Sequence, residues 1–194
     1  MTTRLPIDER LETAGQLIVR ARVFYDIWWF YESAETRPTI IDTMKEYSEF
    51  FRFDPHAHFV SFIVHIAALL EKRNDTINLP SLATEMKASG LISTQEAAKA
   101  DALLGQAAPL ASNVAILRSN LFAHRSAALS YSEAFKTADV TPNELRDLTD
   151  IALKIVNCLL IVRGLKDHVF NTLPLTDAEA MLKALGQHDT GDTQ

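Results

Sequence analysis

The sequence predicts an all-α protein, an antiparallel bundle of about six to seven helices, and three observations carry that prediction. Apolar residues recur at steps of three and four from one end of the chain to the other. Alternating apolar and polar runs, the mark of a half-buried strand, are nearly absent. Capping-box spacings punctuate the periodic stretches: Ser93 with Glu96, Thr141 with Glu144, and Thr176 with Glu179.

Each element follows in order. Leu11, Ala14, Ile18, Ala21, Tyr25 and Trp28 mark a first helix from about Asp8 to Glu32, broken by Arg37-Pro38-Thr39. Ile40, Met44, Tyr47 and Phe51 share a face of a second, which ends near Asp54-Pro55. Phe59, Ile63, Ile66 and Leu70 line a third that stops in Lys72-Arg73-Asn74-Asp75. Leu79 to Ser89 reads as a short helix closed by Gly90. Ser93 opens the next, and Gly105 and Pro109 are expected to kink or interrupt it. Thr141-Pro142-Asn143-Glu144 starts a long helix whose apolar stripe runs Leu148, Ile151, Ile155, Cys158, Val162, Leu165 and Val169. Thr176 is expected to cap a final short helix. Residues 1–185 read as one domain and 186–194 as a mobile tail.

Composition narrows the function. The chain has 194 residues, 47% of them hydrophobic, enough for a real core. No apolar run approaches the roughly 20 residues of a membrane span, and the first residues lack the apolar segment of a signal peptide. A single cysteine, Cys158, excludes an intrachain disulfide. These features point to the cytoplasm, and no membrane is expected as a partner. The net charge of −6 argues against broad, charge-driven nucleic-acid binding but leaves room for a small basic pocket.

The chemistry concentrates in Leu117-Arg118-Ser119-Asn120-Leu121-Phe122-Ala123-His124-Arg125. Leu110, Val114, Leu117 and Leu121 form a helical stripe, and a further step of three lands on His124. A titratable ring on a core line needs a reason, whether a backbone carbonyl at the core edge or a reaction. On one straight helix Arg118 and His124 point about 120° apart. Asn120 and His124 share one face, Arg118 and Arg125 a neighbouring one. A site using both ridges is therefore completed by another helix or by a second copy of the protein.

This stretch resembles the signature of the HEPN family, in particular its abortive-infection AbiU branch, in which an arginine and a small polar residue are followed a few positions later by Ala-His. Arg118, Ser119, Ala123 and His124 match that pattern, with Ser119 where the family often has Asn or Asp. Ser126 occupies the position at which some HEPN toxins carry a tyrosine modified by a partner enzyme. The coarse order of long helices, motif, loop and long closing helix matches over roughly residues 8–171. The resemblance implies a HEPN-like homodimer that cleaves RNA without a metal or other cofactor, in phage defence or a toxin–antitoxin response. Arg118, His124 and Asn120 would be catalytic, and Arg118, Arg125 and Ser119 would hold RNA phosphate. It equally allows a dimer that binds RNA, an antitoxin or another partner protein without cutting.

Three other features invite weaker readings. His56, His58 and His65 with Asp54 suggest metal, but the four-apart histidine pair usual for zinc is missing. Phe24, Tyr25, Trp28, Trp29, Phe30 and Tyr31 exceed what one helix face hides in a small core, so part is expected at an interface, with base stacking the sharper alternative. Cys158 reads as a small buried hydrophobe.

Overall fold

A computed structural model describes residues 4–73, 75–119 and 131–188. Among them the helices run in the order α1 (Ile7–Glu32), α2 (Arg37–Glu46), α3 (Ser48–Phe51), α4 (Asp54–Leu70), α5 (Leu79–Ala88), α6 (Thr94–Leu117), α7 (Tyr131–Ala138), α8 (Pro142–Val162) and α9 (Leu173–His188). No strand occurs among the described residues.

Local chemistry sets most of the boundaries. The Ser93 and Thr141 side chains each accept from the backbone N–H three residues on, and Glu96 and Glu144 each return a hydrogen bond to the cap. Those two carboxyls lie below the usual carboxylate range because they accept hydrogen bonds at the caps. Asn78 caps α5 by accepting from Ser81 N–H at 2.9 Å. Gly90, at φ +66°, ends α5 in a Schellman turn, with Leu91 N–H donating to Met86 C=O and Gly90 N–H to Lys87 C=O.

α1 is the axis of the fold. It packs most extensively on α4, then on α8, and both pairings are antiparallel. Along α4 the ring contacts step from Trp28–Phe59 to Tyr25–Phe62 to Phe24–His65. Along α8, Tyr25 OH donates to Pro142 C=O at one end and Arg163 meets Asp8 at the other. Leu11, Ala14, Ile18, Ala21, Tyr25 and Trp28 are all buried, as the periodicity predicts. α6 closes this core against α8 and α4.

The aromatic run of α1 is the first departure. Tyr25, Trp28, Phe30 and Tyr31 are all buried within the chain, and only Phe24 and Trp29 are partly open. The reason is a second core on the opposite side of α1, where Ile27, Phe30 and Tyr31 meet Ile40 and Met44 of α2, Phe51 of α3 and Leu182 of α9. Two cores hide what one face could not. Burial pushes the Tyr25 hydroxyl up to about 12 and that of Tyr31 higher still.

Other expectations shift by a turn or more. The second predicted helix divides at Tyr47, whose φ of −100° and ψ of 41° leave the helical region, and Tyr47 stands outside the core. α6 continues unbroken through Gly105 and Pro109. The carbonyl that Pro109 leaves without a donor is that of Gly105, four residues back, and both residues are exposed, so water can serve it. α8 stops at Val162, because Gly164 at φ +70° forms a second Schellman turn with Leu165 N–H donating to Leu160 C=O. Val169 is thus 75% exposed, off the helix altogether. The buried face of α8 runs Leu145, Leu148, Ala152, Ile155 and Leu159, with Cys158 half-buried at its edge. α9 begins three residues before Thr176, which sits inside it and donates to Thr172 C=O. The helix continues through Gly186 to His188.

One described stretch, Ser48–Leu70, has the length and hydropathy of a membrane span. It is not one continuous helix, and its Phe59, Phe62, Ile63, Ile66 and Leu69 are fully buried in the protein core.

The loop after α8 is strapped onto α1. His168 lies within 3.1 Å of Glu12 through Nε2, and its backbone N–H and C=O both bond the Asn157 amide. Its ring occupies the space beside Gly15, where an added Cβ would stand 2.5 Å from Nε2 and closer still to Cδ2. Gly15→Ala therefore expels the ring. We expect a loss of about 1–3 kcal/mol in urea unfolding, against the roughly 1 kcal/mol that alanine ordinarily gains over glycine in a helix. In a His168→Ala background the same change becomes neutral or stabilising; a stabilising Gly15→Ala in the otherwise native protein contradicts this account.

Candidate functional site at the end of α6

The last turn of α6 is held from below and open above. Val114 and Leu117 are fully buried, Ile116 is 36% exposed, and Arg118 follows as the C-terminal cap with helical φ and ψ of −56° and −46°. Its N–H still bonds back to Val114 and Ala115 C=O, so the backbone that aims the guanidinium is part of the helix. Asn113 Nδ2 donates to Asp139 C=O at 3.0 Å, tying the same turn to the segment between α7 and α8.

Arg118 Nη1 donates to Glu71 Oε2 at 2.6 Å. Glu71 caps the C-terminus of α4, in extended conformation. The pair is partly solvated, with 31% of the arginine side chain and 41% of the glutamate exposed. Its stabilising worth is then at most about 1 kcal/mol, so another anion can displace the carboxylate. Arg73, two residues beyond Glu71, is raised above its usual pKa first by its hydrogen bond to Asp75 and in smaller part by Glu71. Two arginines and two carboxylates thus meet at this corner, with Arg73 on Asp75 and Arg118 on Glu71.

Ser119 is exposed beside Arg118. Asn120, His124 and Arg125 lie outside the described residues. Of the five residues that the sequence nominates, two are placed here, and the partner it did not nominate is Glu71. Nothing local marks Glu71, which is 47 positions away in the chain.

The histidines of α4 are engaged elsewhere. His58 Nε2 lies 3.5 Å from Asp54 Oδ2, and burial, partly opposed by Asp54, lowers its pKa. His65 Nδ1 donates to Ser61 C=O at 2.7 Å, which fixes its proton on that nitrogen. The Phe24 ring contacts both imidazoles. No three His, Cys, Asp or Glu side chains converge to hold a metal among the described residues.

Sequence reasoning also missed two buried arginines on α1. Arg10 donates to both Glu85 oxygens, through Nη1 at 2.8 Å and through Nη2, and the hydrogen bonds hold Glu85 below the usual carboxylate range. Arg22 donates to Asp26, Thr149 and Asp150. The four-residue step from Arg22 to Asp26 is a local signal for that pair; the Asp150 contact has none.

No curated protein and no solved structure matches the chain. A family model described as HEPN_AbiU2 (AbiU2) matches residues 5–173. That match takes in every helix from α1 to α8 together with the Arg118 corner, and so the chain belongs to the AbiU2 family of HEPN domains.

Proposed function

We propose that this protein is a metal-independent endoribonuclease acting as a homodimer in abortive infection or a toxin–antitoxin response. The observation that carries the reading is Arg118, held half-exposed at a helix end by a replaceable carboxylate in a chain of this family. A guanidinium so placed suits an RNA phosphate, which offers two acceptor oxygens where Glu71 now offers one.

The proposed reaction uses the substrate's own 2′-OH. Its oxygen attacks the adjacent phosphorus, the bond to the 5′-oxygen breaks, and a 2′,3′-cyclic phosphate and a free 5′-OH result. His124 would take the 2′-OH proton or give one to the leaving oxygen, the copy in the second subunit performing the other task. Arg118 would offset the charge of the phosphorane. Asn120 would orient the imidazole or the phosphate, and Arg125 and Ser119 would add contacts to the backbone. No cofactor is needed, because the nucleophile belongs to the RNA.

The test is purified protein incubated with transfer RNA and structured RNA in the presence of chelator. We expect 2′,3′-cyclic phosphate ends with the native protein and a loss of about 10²–10⁴-fold in His124→Ala. Identical RNA from the two proteins at high concentration ends the proposal. One observation favours a non-cutting RNA- or protein-binding dimer instead: the net charge of −6 gives no broad electrostatic attraction to RNA. RNA retained but never cut, with retention lost in Arg118→Ala, identifies that case.

A further inference from the structure

At the opposite end of α4 from Glu71, the chain displays two exposed aromatic rings, one of them in contact with a cation. Phe50 is 55% exposed and Phe53 62% exposed, although Phe51 between them is buried in the second core. Arg52 places its guanidinium 5.6 Å from the centre of the Phe53 ring. Arg52 also lines a cavity of about 400 Å³, together with Trp28, Glu32, Phe51, Pro55, His56 and Phe135. Its size falls within the roughly 300–1,000 Å³ of small-ligand sites. Phe135 belongs to α7, the first described helix after the Arg–His motif, and stacks on Phe59 at 5.3 Å and 25°.

Charge identifies the ligand. Most described arginines hold a carboxylate; Arg52, like Arg20 and Arg146, holds none among the described residues, and of these three it alone lines this cavity. Glu32, the carboxylate on the cavity wall, is paired with Arg37 at 2.9 Å. A purely apolar partner covering Phe50 and Phe53 would bury Arg52 without a counter-ion, which is costly. A planar ring carrying a phosphate satisfies both features, the ring stacking on the phenyl faces and the phosphate meeting the guanidinium.

We propose that this groove is a nucleobase subsite for single-stranded RNA. The proposal rests on the RNA reading given above and adds to it the form of RNA that is held. Seventeen residues of α4 separate Asp54 from Glu71, about 25 Å at the helical rise. A strand gripped here would reach Arg118 of the same subunit only several nucleotides on. Duplex RNA keeps its bases stacked on one another and offers none to Phe50, Phe53 or the cavity. The groove therefore selects loops and unpaired ends.

The experiment is fluorescence anisotropy with a labelled single-stranded oligoribonucleotide and with a labelled RNA duplex of equal length. The protein carries His124→Ala, so that cutting does not complicate binding. We expect the single strand to bind more tightly than the duplex, and Arg52→Ala and Phe53→Ala each to weaken it about 5- to 10-fold. Duplex binding stays unchanged, and both variants keep the parent's melting temperature because the altered side chains are exposed. Equal affinity for the two RNAs, no measurable single-strand binding, or variants that bind like the parent overturns the subsite. So does a Phe53→Ala protein that changes oligomeric state while Arg52→Ala leaves binding intact, since the exposed rings are then a protein interface. The nuclease reading fails separately: RNA uncut by the native protein, with binding still lost in both variants, removes cleavage and keeps the subsite.

Discussion

Alanine at position 22 is expected to cost the fold about 3–5 kcal/mol at neutral pH, the usual penalty for removing one partner of a buried ion pair. Arg22 is the most connected polar side chain of α1 among the described residues. Only 8% of its side chain is exposed, and it donates to Asp26 at 2.8 Å, Asp150 at 2.7 Å and Thr149 at 3.0 Å. Its guanidinium also lies 4.4 Å from the centre of the Phe170 ring, so it helps hold the loop after α8. Burial disfavours its charge, but the hydrogen bonds and charges of Asp26 and Asp150 outweigh burial and raise its pKa. Asp26 balances the other way: burial lifts its carboxyl above the ordinary range in spite of Arg22. The cluster as a whole is therefore less stabilising than its three hydrogen bonds suggest, and its fragility lies in Asp26.

The pH dependence follows with a definite sign. In the folded protein Asp26 binds its proton more tightly than in the unfolded chain, so the ionised form costs stability, and acidification through its raised pKa relieves that cost. Without Arg22 the pKa rises further and the relief grows. The deficit of Arg22→Ala should thus be largest near neutrality and shrink as pH falls toward the ordinary carboxylate range. Carboxyls held low, such as Glu85 and Asp8, lose stability in acid in both proteins and cancel in the difference. Paired urea titrations at several pH values measure this. A loss below about 1 kcal/mol, or one that grows in acid, contradicts it.

The second large effect concerns the proposed reaction. Arg118→Ala should lower RNA cleavage about 10²–10³-fold, the usual cost of deleting one electrostatic donor to a developing oxyanion. Arg118→Lys should recover little, because a lysine ammonium cannot span two phosphate oxygens. The structure adds a converse case in Glu71. Glu71→Gln removes the charge that occupies Arg118, and since the pair is half solvated it should change stability by less than about 1 kcal/mol. We expect it to tighten RNA binding, and to do so only while Arg118 is present, which separates displacement at this arginine from the general effect of one negative charge fewer. Single-turnover cleavage together with filter binding separates the two roles. Unaltered cleavage in Arg118→Ala removes this arginine from the mechanism.

Elements governed by near neighbours were legible. The Ser93 and Thr141 caps depend on contacts three residues long, and both formed as their spacing required. Gly90 closed α5 for the same local reason. Thr176 had an identical spacing to its glutamate and is no cap, because α9 had already started at Leu173. Stripe readings succeeded where a helix has one dominant partner, as for α4. They slipped on α8, where an early Schellman turn cut off the last two stripe positions, Leu165 and Val169.

Read alone, the sequence established that this chain is helical, where most helices begin and which face of α1 is buried. All of these depend on residues within a few positions of each other, where backbone geometry alone sets who meets whom. Tertiary structure decided the rest. It set a second core behind α1, buried Arg10 and Arg22 against carboxylates from other helices, left Arg52 beside an exposed ring, and put Glu71 against Arg118. The physical reason is that a charge, unlike an apolar stripe, has no period: its partner is whichever opposite charge the packing of helices brings within about 3 Å.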